Sequence, residues 1–153
     1  MDFKKFTSQA SFSSSNYLAL SGYRGQFRAY ELSPIKIEDA SEIMKWRNEQ
    51  IACLHQNEPI TTSQQTTFFN EKVKPQFSQS KPDLILLRLT LENKLIGYAS
   101  LYDFNWKDAH TKAFFLFETA RLKDSFQYGT DCSVIINLLM RVVFMKLNLN
   151  KMS

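Results

Sequence analysis

Residues 83–119 read DLILLRLTLENKLIGYASLYDFNWKDAHTKAFFLFET, and this stretch decides the fold. Asp83–Leu91 is a run of leucines and isoleucine, a strand signal. Glu92-Asn93-Lys94 is a short hairpin turn in which Asn93 tolerates positive φ. Leu95–Phe104 is the partner strand, and Gly97 within it allows a close backbone approach or a bulge. Asn105–Ala109 turns the chain again, and His110–Thr119 makes a third strand. Its unbroken run Phe114-Phe115-Leu116-Phe117 suits a central strand covered on both faces. Three successive strands of this kind predict a mainly antiparallel sheet.

Beyond them, Ala120–Thr130 reads as a loop and Asp131–Leu147 as a helix. Ser133, Asn137 and Arg141 form one narrow polar stripe on it. The rest of its circumference is apolar and needs cover on more than one side. Before the strands, Thr61 and Gln64 make a capping box that starts a helix near Thr62, with Phe68, Phe69 and Val73 on its apolar side. Pro75 should kink or stop that helix. Glu38–Gln50 reads as an earlier helix with Glu38 and Asp39 in its first turn. Phe27–Leu32 reads as a first strand, ended by Pro34. The fold class is therefore α/β (α+β), a mixed, mainly antiparallel sheet with helices on its faces. Residues 1–25 show no period and are rich in Ser, Thr, Asn and Gln. They read as a mobile extension or loosely docked arm, leaving a single domain over 26–153.

The totals exclude several function classes. A chain of 153 residues with two cysteines, Cys53 and Cys132, has no disulfide framework, and reduced thiols point to the cytoplasm. The first twenty residues lack a secretory h-region. The most apolar window, Val134–Leu147, is broken by Asn137, Arg141 and Lys146 and is too short to span a bilayer. A net charge of +4 would suit a polyanion, but the basic residues are dispersed, so no nucleic acid is expected. Cys53 and His55 alone do not make a zinc site. Asp131 opposes a thiolate at Cys132, which reads as buried and unreactive. The thirteen phenylalanines read as core.

The local sequences then add a resemblance. Pro34-Ile35-Lys36-Ile37-Glu38-Asp39-Ala40, Ile43-Met44-Lys45-Trp46-Arg47-Asn48, Leu95-Ile96-Gly97-Tyr98 and Leu147-Asn148-Leu149-Asn150-Lys151, in this order of elements, resemble the GNAT N-acetyltransferase superfamily, and within it the branch of ribosomal-protein alanine N-acetyltransferases. The likeness runs over roughly residues 27–153. It implies acetyl-CoA as cosubstrate and a primary amine as acceptor: a protein N-terminus, an amino sugar or a small amine. Backbone groups of Phe115, Leu116 and Phe117 would meet the pantetheine arm, and Gly129 and Thr130 the pyrophosphate. The family's phosphate loop, Gln/Arg-x-x-Gly-x-Gly/Ala, falls on Phe126-Gln127-Tyr128-Gly129-Thr130-Asp131. Phe126 and Asp131 depart from it, and a capping carboxylate at Asp131 would compete with a phosphate for amides. Lys112 stands where many relatives carry a glutamate, which leaves Glu118 as the candidate base or a solvated strand-end residue. Trp46 and Arg47 either line an acceptor groove or serve packing and helix capping. The chain ends where the family begins its next strand, so the domain is read as incomplete. The alternative is then a non-catalytic module completed by a partner or by a homodimer through the sheet edge and the bare final helix.

Overall fold

The computed structural model describes residues 16–153. Six strands form one sheet in the order β1-β2-β3-β4-β5-β6: Gly25–Phe27, Tyr30–Pro34, Leu84–Leu91, Lys94–Asn105, His110–Phe117 and Lys151–Met152. Every pairing is antiparallel except β5 with β6, which is parallel. Among the described residues the α-helices are α1 (Ala40–Glu49), α2 (Thr62–Phe68) and α3 (Ser125–Met140). Helices α1 and α2 cover one sheet face and α3 covers the other. Alternation along the strands assigns the faces. Tyr98, Ser100 and Phe114 border a cavity with α1 and α2, whereas the Phe117 ring meets Tyr128 of α3.

The expected strands of residues 83–119 hold to within a residue or two at each end. Leu91 pairs with Lys94 across a two-residue turn in which both Glu92 and Asn93 have positive φ. A turn of this kind matches the right-handed strand twist. Gly97 serves both purposes open to it. The β3–β4 register slips beside it, between Leu89 and Thr90, and a Cβ there would lie 2.7 Å from the Phe117 ring.

Three expectations are corrected, and that of a docked arm is narrowed to residues 16–25. Phe27–Leu32 is not one strand. The chain turns at Arg28 and Ala29, with Arg28 at φ 55°, and β1 pairs back on β2. Residues 1–15 of the expected extension lie outside the described residues. Over 16–25 the chain is docked, with Tyr17 and Leu20 buried and the Tyr17 hydroxyl accepting from the Leu86 amide at 2.9 Å. That burial raises the Tyr17 hydroxyl well above its usual range. The final helix starts at Ser125 rather than Asp131, because Asp124 caps it by accepting from the amides of Phe126 and Gln127. It continues through a π-turn, Arg141–Lys146. The resulting 22-residue run Ser125–Lys146 is long and apolar enough to cross a bilayer, so its length alone does not exclude a span. Its Val134, Ile135, Leu138, Leu139, Val142 and Val143 are buried in the core.

The earlier half follows its local chemistry. A 3-10 turn at Ile37–Asp39 leads into α1, whose Ile43 and Trp46 enter the core. Thr61 and Gln64 form the capping box at the start of α2, each side chain bonding the other's amide. That helix passes into a π-turn at Phe69–Val73, and Pro75 opens a 3-10 turn, Lys74–Ser78.

Candidate active site

A cavity of about 650 Å³ lies between the sheet and the layer of α1 and α2. Its floor is Tyr98, Ser100 and Tyr102 of β4 with Phe114 of β5. Its walls are Ile43 and Arg47 of α1, Cys53 to His55 of the following turn, and Gln64, Gln65 and Phe68 of α2. This size suits a small organic ligand. The walls are mainly apolar. Arg47 brings the fixed charge: its Nη1 donates to the Tyr98 hydroxyl at 2.9 Å, and its guanidinium lies 5.9 Å from the centroid of the Phe114 ring. Among the described residues no carboxylate lines the cavity and none pairs with Arg47. Burial raises the Tyr98 hydroxyl, the nearby arginine opposing that rise. Tyr98 therefore stays a neutral phenol whose oxygen accepts from Arg47 and whose own proton is available to a ligand.

The cavity meets β5 at Phe114, one residue before Phe115. Parity along the strand is set by the Ala113 amide, which donates to the Ser153 carbonyl at 3.0 Å. Odd-numbered residues thus present their backbone groups outward, and even-numbered ones face β4. The Glu118 amide, donating to Ile96, agrees. Register with β6 ends at Thr111 opposite Met152. At Phe117 the outward carbonyl is taken by a side chain: buried Gln50 donates its Nε2 to it at 2.8 Å and to Thr119 Oγ1 at 3.1 Å. A strand cannot pair where that amide sits. The amides of Phe115 and Phe117 are left on this outward edge.

The residues singled out from sequence are now placed. Phe115 and Phe117 offer outward backbone groups, while those of Leu116 face β4 opposite Tyr98. Gly129 and Thr130 are not in a loop. They lie in the second turn of α3, where Gly129 is exposed with open space around it and Thr130 donates to the Phe126 carbonyl. Asp131 caps nothing. It is fully buried, accepts from Arg121 Nε at 2.7 Å, and accepts from the Tyr30 hydroxyl at 2.8 Å. The carboxylate on the first amides of the helix belongs to Asp124. Trp46 is buried in the core, and Arg47 lines the cavity. Glu118 lies past the end of β5 and does not border the cavity. Cys132 is half-buried. The residues missed from sequence are His55, Phe68, Tyr98, Ser100 and Tyr102. Only the alternation of β4 signalled the last three as a shared face.

Residues 32–153 match the model of the acetyltransferase (GNAT) domain. The chain belongs to this family. No curated protein matches it. Among solved structures, this GNAT chain is similar to the spermidine N-acetyltransferase of Vibrio cholerae in complex with CoA and spermine. That likeness has a TM-score of 0.66 at 17% identity, covering 82% of this chain and 70% of the other. It is also similar to a dodecameric form of the spermidine enzyme from the same organism, with a TM-score of 0.64 at 16% identity over 82% and 68% of the two chains. A third likeness is to a Vibrio cholerae protein provisionally assigned as a ribosomal-protein-serine acetyltransferase, with a TM-score of 0.59 at 12% identity over 85% and 71%. At such identities the GNAT fold is what is shared.

Proposed function

We propose that this GNAT domain is an acetyl-CoA-dependent N-acetyltransferase acting on a primary amine held in the cavity beside β5. The observation that carries this reading is that one strand, β5, contributes to two features: Phe114 lines a cavity of about 650 Å³, and the next three residues, Phe115–Phe117, form an edge whose last carbonyl is bound by Gln50 instead of a neighbouring strand. Acetyl-CoA, when bound, would supply an activated acetyl thioester. The outward Phe115 and Phe117 amides would hold its pantetheine arm, and the first turn of α3, with Lys123 nearby, would face the pyrophosphate. The fit is imperfect there, because Asp124 occupies the Phe126 and Gln127 amides.

The amine must present a neutral nitrogen, so that a C–N bond replaces the C–S bond and the surplus proton leaves. Glu118 was the sequence candidate for that proton, but it stands off the cavity. We assign the role to His55, which lines the cavity and is open to solvent, as a proton acceptor must be if it is to recycle. Placement in the ribosomal-protein N-acetyltransferase branch is supported by the Ile43–Asn48 segment, and a cytoplasmic site by the two free thiols.

The test is a melting curve with and without acetyl-CoA, followed by a thiol-release assay. A ligand that binds the folded state alone must raise the melting temperature. An unchanged curve at high ligand concentration overturns the reading. His55→Gln should lower kcat by about a hundredfold with KM little changed. An unchanged kcat would remove His55 from the role.

A second reading, self-association, is favoured by one observation. Ile136 and Met140 of α3 and Phe144 of its π-turn follow each other at four-residue spacing, each about 40% exposed. That stripe could seat a second copy of the chain.

A further inference from the structure

The cavity also constrains the acceptor, an inference that rests on the acetyl-transfer reading above. A polycation is recognised by carboxylates. Among the described residues none lines this cavity, and the one fixed charge they bring to it is the guanidinium of Arg47. A polyamine entering would meet a like charge among mainly apolar walls. Arg47 is held in place from two sides, by its bond to the Tyr98 hydroxyl and by the Phe114 ring. Its remaining N–H donors have no carboxylate partner among the described residues. A guanidinium so placed calls for a planar anion, and a carboxylate fits its fork. The neighbouring walls, Ile43, Leu54, Ile60, Phe68 and Phe114, call for an apolar or aromatic body.

We propose that the acceptor is a small amine carrying a carboxylate on an apolar or aromatic body, the chemistry of a free aromatic amino acid, and that Arg47 selects it. The same cation serves the reaction. Positive charge close to the amine disfavours its ammonium form and enlarges the neutral, nucleophilic fraction. The Tyr98 hydroxyl proton is free to donate to the second carboxylate oxygen. The acceptor would thus be gripped through its acid group, its amine left to face β5.

Equilibrium binding tests this without acetyl-CoA, by ligand-observed NMR on the full chain with L-phenylalanine, phenethylamine and spermidine. Phenethylamine is phenylalanine without the carboxylate. Phenylalanine should bind about tenfold or more tightly than phenethylamine, the range of a charge-assisted hydrogen-bonded pair. Spermidine should bind weakest. Arg47→Gln should weaken phenylalanine and remove its advantage over phenethylamine, which loses a like charge and should bind no more weakly than before. Spermidine binding as well as phenylalanine, or no difference between phenylalanine and phenethylamine, overturns the proposal. So does an Arg47→Gln protein that keeps the difference. If that variant fails to fold, the wild-type ratio decides, together with Arg47→Lys, which should retain part of the preference. The predicted order of binding with no acetyl transfer would end the enzymatic reading and leave the ligand chemistry standing.

Discussion

Asp131 sits inside the molecule with none of its surface exposed, bonded to Arg121 at 2.7 and 3.1 Å and to the Tyr30 hydroxyl at 2.8 Å. It ties α3 to β2, 101 residues away at Tyr30, and to the segment between β5 and α3. Removing one member of a buried pair strands the other, so Asp131→Ala should cost about 3–5 kcal/mol, read from urea unfolding. Burial first, and then the Asp131 carboxylate, push the Tyr30 hydroxyl from 10 up to about 12. A raised value means that the folded state holds the proton more tightly. Its contribution is therefore complete below pH 10 and is lost as pH climbs to about 12. Stability should fall across that window, and less steeply in Tyr30→Phe. Gly97 is the second such residue. A Cβ there would lie 2.7 Å from the Phe117 ring and 2.9 Å from the Leu116 carbonyl. Gly97→Ala should cost about 1–3 kcal/mol and disturb the edge that Gln50 binds. The need for Gly97 was legible, since a glycine inside a strand asks for such a reason. Asp131 was not. An aspartate after a glycine looks like a cap, and only the folded chain brings Arg121 and Tyr30 to it.

At the scale of elements, the hairpins show what local sequence can announce. Glu92-Asn93 announced its turn through asparagine. Arg28-Ala29 gave no such signal, and the burial of Leu32 and the pairing of β1 with β2 impose it instead. The start of α3 was misread for a related reason. Asp124 and Asp131 are both able caps, and Gly129 made the later one look like the end of a loop. The phosphate argument survives the change of residue, because Asp124 now holds the Phe126 and Gln127 amides. Two effects of opposite sign follow for Asp124→Ala. The helix loses its cap, and stability should fall by about 1 kcal/mol in urea unfolding. The anion is gone from the first turn, and acetyl-CoA affinity should rise several-fold by calorimetry. A fall in both would show that α3 does not meet the pyrophosphate.

Over the whole molecule, the sheet was legible because each strand carries its own pattern and successive strands pair with neighbours. The cavity was not. Arg47, His55, Phe68, Tyr98 and Phe114 come from five separate stretches, and no one of them shows a spacing that points to the others. Packing also separates the two faces of α3. Its inner face fills the core, while the outer row of Ile136, Met140 and Phe144, with Met145 at 74% exposure, faces away from it. An exposed apolar row on a rigid helix is a surface for association, and on one chain it can be paired by the same row of a second copy. The wild-type protein should therefore gain mass with concentration in sedimentation equilibrium. Met140→Glu should hold it at one chain throughout. Because Met140 is 38% exposed, that change should leave the urea midpoint almost where it was. A wild-type protein that stays monomeric at every concentration would leave the outer face of α3 as bare surface and the domain as a solitary one.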